Sequence, residues 1–198
     1  MRQGLLNLFE RTHEWEMWFL DQLQSIRHPI LDWILIIFTK LGDIGIIWIL
    51  VSLVLFSTKK YRKVGLTSLL ALLIGAIFTD LTIKGWIARE RPFTHLDASR
   101  LKDVLIIKKP SSLSFPSGHT TSSFAAGIVL AYYFRKYSVP ILLFAATIAF
   151  SRMYLYVHFP TDIAAGLIVG TVSAILALFI SKHWLSRYFE PKVVYTDT

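Results

Sequence analysis

Three stretches of the chain hold residues whose types and spacing suit phosphate chemistry. The first is Phe115-Pro116-Ser117-Gly118-His119, which leads into an apolar run. Pro116 disfavours helix for the residue before it. Ser117 is an N-cap candidate, and Gly118 lets the backbone approach a ligand closely. A helix is therefore expected from His119 onward. A helix N-terminus offers unpaired N–H groups and the positive end of a dipole, which suits a phosphate. His119 would place a titratable proton beside that anion. The second stretch runs from Lys84 to Arg91-Pro92. The third is Ser151-Arg152, then His158, then Asp162. Together they supply Lys84, Arg91 and Arg152 as cations, two histidines and a carboxylate, a set suited to stabilising and attacking a phosphoryl group. His158 and Asp162 lie four residues apart across Phe159-Pro160. Pro160 fits the first turn of a helix, with Asp162 just inside it. The carboxylate then takes the proton-bearing nitrogen of His158 and leaves the other nitrogen free to attack phosphorus.

Each stretch also has a plainer reading. The helix start can be merely capped, with His119 solvated. Lys84 can snorkel to the membrane interface. A lone His–Asp pair is commonly structural. The combination of three cations with two histidines outweighs these readings, because ionisable groups at membrane depth are functional by default. Asp80, four residues before Lys84, is placed to pair with it on a helix face.

In these residues the sequence resembles the type 2 phosphatidic acid phosphatase superfamily, which also contains the vanadium haloperoxidases. The pattern K-x6-RP, PSGH, SR-x5-H-x3-D is present at every fixed position between Lys84 and Asp162. The resemblance implies roles. His158 is the nucleophile that forms a phosphohistidine, and Asp162 orients it. His119 protonates the leaving oxygen. Lys84, Arg91, Ser117, Gly118 and Arg152 hold the phosphate oxygens. No metal and no other cofactor is implied, since cations and amides offset the phosphate charge. The implied substrate is an amphiphile whose tail stays in lipid: a phosphatidate, a phosphatidylglycerophosphate or a polyprenyl diphosphate, with undecaprenyl diphosphate favoured. A lipid phosphotransferase using the same histidine, and a non-catalytic transporter or lipid-binding protein, are the rival classes. Intact motifs weigh against the second.

The elements that must position these residues are membrane helices. Of the 198 residues, 54% are hydrophobic and the mean hydropathy is +0.53. That is above the usual globular range and indicates one integral membrane domain, 1–198, of all-α class. The formal net charge is +8. It is assigned to anionic lipid and membrane topology, not to nucleic acid. The absence of cysteine excludes disulfides and thiolate metal sites.

Residues 1–27 are too charged for a signal peptide or a span. Leu5, Leu8, Phe9, Trp15, Trp18, Phe19 and Leu23 recur at roughly helical spacing and predict an interfacial amphipathic helix. A six-helix transmembrane bundle over 30–182 is expected, from apolar segments at 30–41, 44–57, 64–86, 119–135, 138–156 and 162–182. The first is short and is either tilted, half-inserted or packed inside the bundle. Basic residues crowd 58–63, 135–136 and the region after 182, which favours the cytoplasmic side. With six spans, both termini are then cytoplasmic, residues 183–198 form a cytoplasmic tail, and the site faces outside. The patch Val104–Ile107 in the long 87–118 loop either dips into the outer leaflet or packs on the bundle. Gly166, Gly170 and Ala174 form a small-residue stripe suited to close helix packing.

Overall fold

The computed structural model describes residues 2–185, and every regular element among them is helical. Helix α1 is Arg2–Ser25, α2 Pro29–Gly42, α3 Ile46–Ser57 and α4 Arg62–Ala76. A wider π-helical stretch, Ile77–Ile83, joins α4 to the short α5, Lys84–Ile87. Such stretches shift the helical register and recur beside functional residues; this one stands just ahead of Lys84. Helix α6 is Ala98–Val104, α7 Gly118–Tyr133, α8 Ser138–Tyr154 and α9 Pro160–Ile180. Each expected apolar segment thus appears as helix. Among the described residues, four stretches are long and apolar enough to cross a membrane: Pro29–Ser57, Arg62–His95, Arg135–Tyr154 and Pro160–His183. The chain is a multi-pass membrane protein.

Helix α7 is the centre of the bundle and packs against α4, α8 and α9. Small residues make this possible. A Cβ added at Gly166 would meet the Ser117 carbonyl oxygen at 2.7 Å, and one at Gly170 would meet the Thr121 carbonyl oxygen at 2.7 Å. The glycine stripe of α9 therefore serves the bundle, letting the helix that carries Asp162 lie directly on the helix that carries His119. Trp48 of α3 donates from Nε1 to Ser123 Oγ of α7 at 3.0 Å, a buried polar tie across the bundle.

Helix α2 departs from a simple span. Near its start, Tyr154 donates to Asp32 at 2.6 Å. Near its end, Thr39 receives a hydrogen bond from Arg152, and Gly42 lies against His119 and Ile148. Tyr154, Arg152 and His119 all belong to one end of the bundle, so both ends of α2 meet that end. Its 14 residues give about 21 Å, less than the ~30 Å of a hydrocarbon core. Two consecutive left-handed residues, Ile44 (φ 54) and Gly45 (φ 68), then turn the chain into α3. Both α1 and α2 thus contact this end of the bundle, and of the three readings of the short first segment these contacts fit packing inside the bundle.

Helix α1 packs on that end. Phe9, Glu16, Leu20 and Leu23 form its buried stripe, and Trp15 (51% exposed) and Trp18 (58% exposed) face outward. The apolar pattern thus splits: Phe9 and Leu23 pack inward, while Leu8 and the tryptophans remain exposed. Gln24 donates to the Tyr154 carbonyl at 2.9 Å, and Tyr156 donates to Asp21 at 2.7 Å. Val104 to Ile107 join the same apolar cluster as Leu20, Tyr154 and Phe159. Of the two readings of that patch, packing on the bundle is the one observed. The expected tail, 183–198, falls almost entirely outside the described residues.

Candidate active site

Backbone geometry at the ends of α5, α7, α8 and α9 assembles the site. At Ala88 the chain adopts φ 57, which ends α5 and turns the following arginines inward. At Tyr156 it adopts φ 60. The amides of Val157 and His158 both donate to the Arg152 carbonyl, at 3.1 and 3.2 Å. This closes the end of α8 into a tight turn and sets His158 beside Arg152. Pro160 opens α9, and Asp162 at the third helical position accepts from the Phe159 amide at 2.9 Å. That is half of a capping box, so the carboxylate is both a helix cap and a partner for His158.

His158 is buried. Its Nδ1 lies 3.3 Å from Asp162 Oδ2, and its Nε2 lies 3.1 Å from Arg91 Nη1. A guanidinium can only donate, so Nε2 carries the lone pair and Nδ1 carries the proton. That is the tautomer a nucleophile oriented by a carboxylate requires. Burial first, then the charges of Arg91, Arg152, His119 and Lys84, hold His158 well below the ordinary histidine pKa. The ring therefore stays neutral with its lone pair available. The same four groups are those that the sequence brings forward as acid and phosphate ligands.

Arg91 is fixed by the loop. It donates from Nε to the Ser112 carbonyl at 2.6 Å and from Nη1 to the Val157 carbonyl at 2.7 Å. Arg152 is 3% exposed and bonds Thr39 through Nη1. Among the described residues its Nε is buried without any hydrogen-bond partner. A buried unpaired donor on a cation is costly, and a phosphate oxygen would relieve that cost. Lys84 Nζ pairs with Asp80 Oδ1 at 2.7 Å, as the spacing predicts. A Cβ at Gly118 would lie 3.8 Å from Lys84 Nζ, so the lysine stands at the start of α7.

Ser117 caps α7: its Oγ accepts from the Thr120 amide at 3.4 Å and from the Thr120 hydroxyl at 3.0 Å. Its own amide donates to the Asp162 carbonyl at 3.1 Å. The backbone N–H of Ser117 is thus committed to joining α7 to α9, which leaves the hydroxyl proton and the amides of Gly118 and His119 to face a ligand. His119 Nε2 lies 2.9 Å from Asp43 Oδ1.

Four contributors were not foreseen. Asp43 holds the candidate acid, yet from the sequence it is only a turn residue after Gly42. Ser114 donates to Asp162 Oδ2 and also lies 3.4 Å from His158 Nδ1. Arg89 reads as one more basic loop residue available for phosphate. It instead donates from Nη1 to Asp162 Oδ1 at 2.7 Å. Glu16 reads as a solvated charge on an interfacial helix, but it is buried and accepts from Arg89 Nη2 at 2.6 Å. The one available signal for Glu16 is its position, seven residues beyond Phe9 and four before Leu20, on the stripe that turns inward.

Comparison with known proteins agrees with this geometry. The family model described as the PAP2 superfamily matches residues 65–186. Undecaprenyl-diphosphatase BcrC of Bacillus subtilis is 28% identical over 174 residues, covering 86% of this chain and 84% of that protein. Lipid A 4'-phosphatase of Porphyromonas gingivalis is 29% identical over 190 residues, covering 87% of this chain and 78% of that one. The crystal structure of Aquifex aeolicus LpxE superposes with a TM-score of 0.70 at 26% identity, over 83% of this chain and 94% of that one. Every residue of the three motifs lies inside the matched region, and the chain belongs to the PAP2 superfamily as a membrane phosphatase.

Proposed function

We propose that the protein hydrolyses a lipid phosphate or diphosphate without a metal, through a phosphohistidine on His158. The observation that carries this reading is the pairing of His158: Nδ1 toward Asp162 and Nε2 toward a cation, beside an Arg152 whose Nε is unpartnered. The phosphoryl group sits among Lys84, Arg91, Arg152, the Ser117 hydroxyl and the first amides of α7. Arg91 Nη1 turns from His158 to a phosphate oxygen as substrate enters. The Nε2 lone pair then forms a bond to phosphorus as the bond to the lipid-side oxygen breaks. That oxygen leaves with the electron pair and takes a proton from His119. Asp162 stabilises the positive charge left on the phosphorylated ring. In the second half, water attacks phosphorus and gives a proton back to His119. The P–N bond breaks, and inorganic phosphate is released.

Undecaprenyl diphosphate is the favoured substrate, because BcrC, similar over most of its length, bears the name of an undecaprenyl-diphosphatase. Other lipid phosphates are the alternative, since a lipid A 4'-phosphatase is equally similar. The active site is proposed to face outside. Ring contact between Tyr61 and Phe134, and the Thr67–Ser181 hydrogen bond, gather the basic segments near 58–63, 135–136 and 182 at the end opposite the catalytic one. Positive residues at that end favour the cytoplasm. The C-terminus is then cytoplasmic, and α1 lies on the outer face with Trp15 and Trp18 at the interface.

Phosphate release from purified undecaprenyl diphosphate, phosphatidylglycerophosphate, phosphatidate and lipid A, in detergent and after exhaustive chelation, tests the reading. Preferred turnover of the diphosphate, undiminished by EDTA, is expected. Activity that only a divalent ion restores would contradict the metal-free mechanism. Transfer to an added alcohol in place of water would move the protein to the phosphotransferase class.

A further inference from the structure

We propose that Glu16 and Arg89 form a positioning pair for Asp162, which makes helix α1 part of the apparatus that orients the nucleophile; the inference rests on the reading of His158 as that nucleophile. A single guanidinium links two carboxylates. Arg89 donates from Nη1 to Asp162 Oδ1 at 2.7 Å and from Nη2 to Glu16 Oε2 at 2.6 Å. The guanidinium carbon also lies 4.0 Å from the Phe9 ring centre and 3.9 Å from the Phe159 ring centre. One of these rings comes from α1 and the other from the residue that precedes α9. The two ion pairs and the two ring contacts together hold the fork in one orientation.

Glu16 holds the scaffold as well as the charge. Its Oε1 accepts from the Thr161 amide at 3.0 Å and from the Thr161 hydroxyl at 2.6 Å. The Thr161 amide is one of the donors a helix start leaves unpaired, so a carboxylate on α1 caps the helix that carries Asp162. Thr12 completes the set, donating to Oε2 at 3.0 Å. Glu16 is 0% exposed, and Thr12, Arg89 and Thr161 all donate to it. A buried pair of this kind gives little net stability compared with apolar packing, so stability alone is a weak reason for its presence.

The charge arithmetic supplies a stronger reason. Asp162 must offset the positive charge that His158 acquires when phosphorylated. Arg89 alone would neutralise Asp162 and blunt that effect. With Glu16 present, two carboxylates share one guanidinium, and the trio keeps one net negative charge behind the ring. Arg89 meanwhile occupies Oδ1, which leaves Oδ2 for His158, Ser114 and the Phe159 amide. The pair thus fixes which carboxylate oxygen meets the nucleophile.

The test uses the full chain purified in detergent, with kcat and KM measured on a lipid phosphate and on nitrophenyl phosphate. Glu16→Gln and Arg89→Lys are the principal variants. Arg89→Lys keeps the charge, but a single ammonium lacks the planar fork, so it remains informative if Glu16→Gln folds poorly. Each is expected to lower kcat about 10–100-fold, the usual range for partners that orient a reacting group, on both substrates and with KM little changed. Since the two residues act as one unit, the double variant Glu16→Gln/Arg89→Lys is expected to fall no further than the worse single one. Leu20→Ala, on the same helix but outside the network, is expected to lower the melting temperature and leave kcat intact. Wild-type kcat in Arg89→Lys, multiplied losses in the double variant, or the same loss of kcat in Leu20→Ala would each overturn the proposal. His158→Ala separates the two levels: turnover in that variant removes the underlying mechanism. An inactive His158→Ala with unaffected Glu16→Gln and Arg89→Lys removes only the positioning role.

Discussion

Replacing Arg152 by lysine keeps a positive charge at the site and removes the planar fork. In the structure Nη1 is committed to Thr39, and Nε is buried without a partner. Phosphate is therefore expected to take Nε together with Nη2, the two-pronged geometry at which arginine excels. A lysine offers one nitrogen, which must choose between Thr39 and phosphate. The variant loses at least one charge-assisted hydrogen bond, worth about 1.5–3 kcal/mol. At about 1.4 kcal/mol per decade, kcat/KM on a lipid phosphate should fall roughly 10–150-fold. Folding should not suffer, because the substitution removes a buried unsatisfied donor. The assay is steady-state phosphate release, with a melting curve beside it. Vanadate, a mimic of five-coordinate phosphorus, should weaken as an inhibitor by a comparable factor. A kcat/KM within about twofold of wild type would show that Arg152 supplies only a field, and the argument from its unpartnered nitrogen would fail.

Three further outcomes follow from the same geometry. His119→Ala should lose about 10²–10⁴-fold on an alkyl lipid phosphate but far less on nitrophenyl phosphate, whose phenolate leaves without help; equal losses on both would remove His119 as the proton donor. Single cysteines at Ser99 and Thr58, both exposed, should divide in labelling of intact cells by an impermeant thiol reagent, with Ser99→Cys reacting and Thr58→Cys protected; the reverse would turn the protein over in the membrane. Because His158 is held below its ordinary pKa in the folded state, the unfolded chain binds a proton that the folded chain refuses; stability should therefore fall as pH drops below about 6.5, and His158→Gln should flatten that part of the melting-temperature profile.

The parts of the site that were legible in the sequence are those whose geometry is local. His158 and Asp162 meet because they flank the start of one helix. Ser117 caps because two helical residues separate it from Thr120, and Asp80 reaches Lys84 because four residues make one turn. The apolar segments became helices for the same reason, since helix formation is decided over a short window. What stayed hidden is long-range. Glu16 and Arg89 are 73 residues apart, and a charge on an amphipathic stretch gives no sign of the arginine it will meet. Asp43 touches His119 only because α2 turns back at the catalytic end. The short first segment could not be placed from sequence, because its hydropathy is that of a span but its length is not, and the partners that Asp32 and Thr39 find on Tyr154 and Arg152 are more than a hundred residues away. The Ser117 amide, which donates to the Asp162 carbonyl and joins α7 to α9, is another long-range contact that no local spacing marks.

The central claim is that His158 carries the phosphoryl group. Rapid acid-free quenching of the wild-type protein with a radiolabelled lipid diphosphate should trap label on the chain in a bond that is stable to alkali and labile to acid. Peptide mapping should place that label on His158. The His158→Ala protein should trap none and release no phosphate from lipid or aryl substrates, while His119→Ala should still accumulate label from the aryl substrate. Label on any other residue, or steady turnover by His158→Ala, would contradict the account.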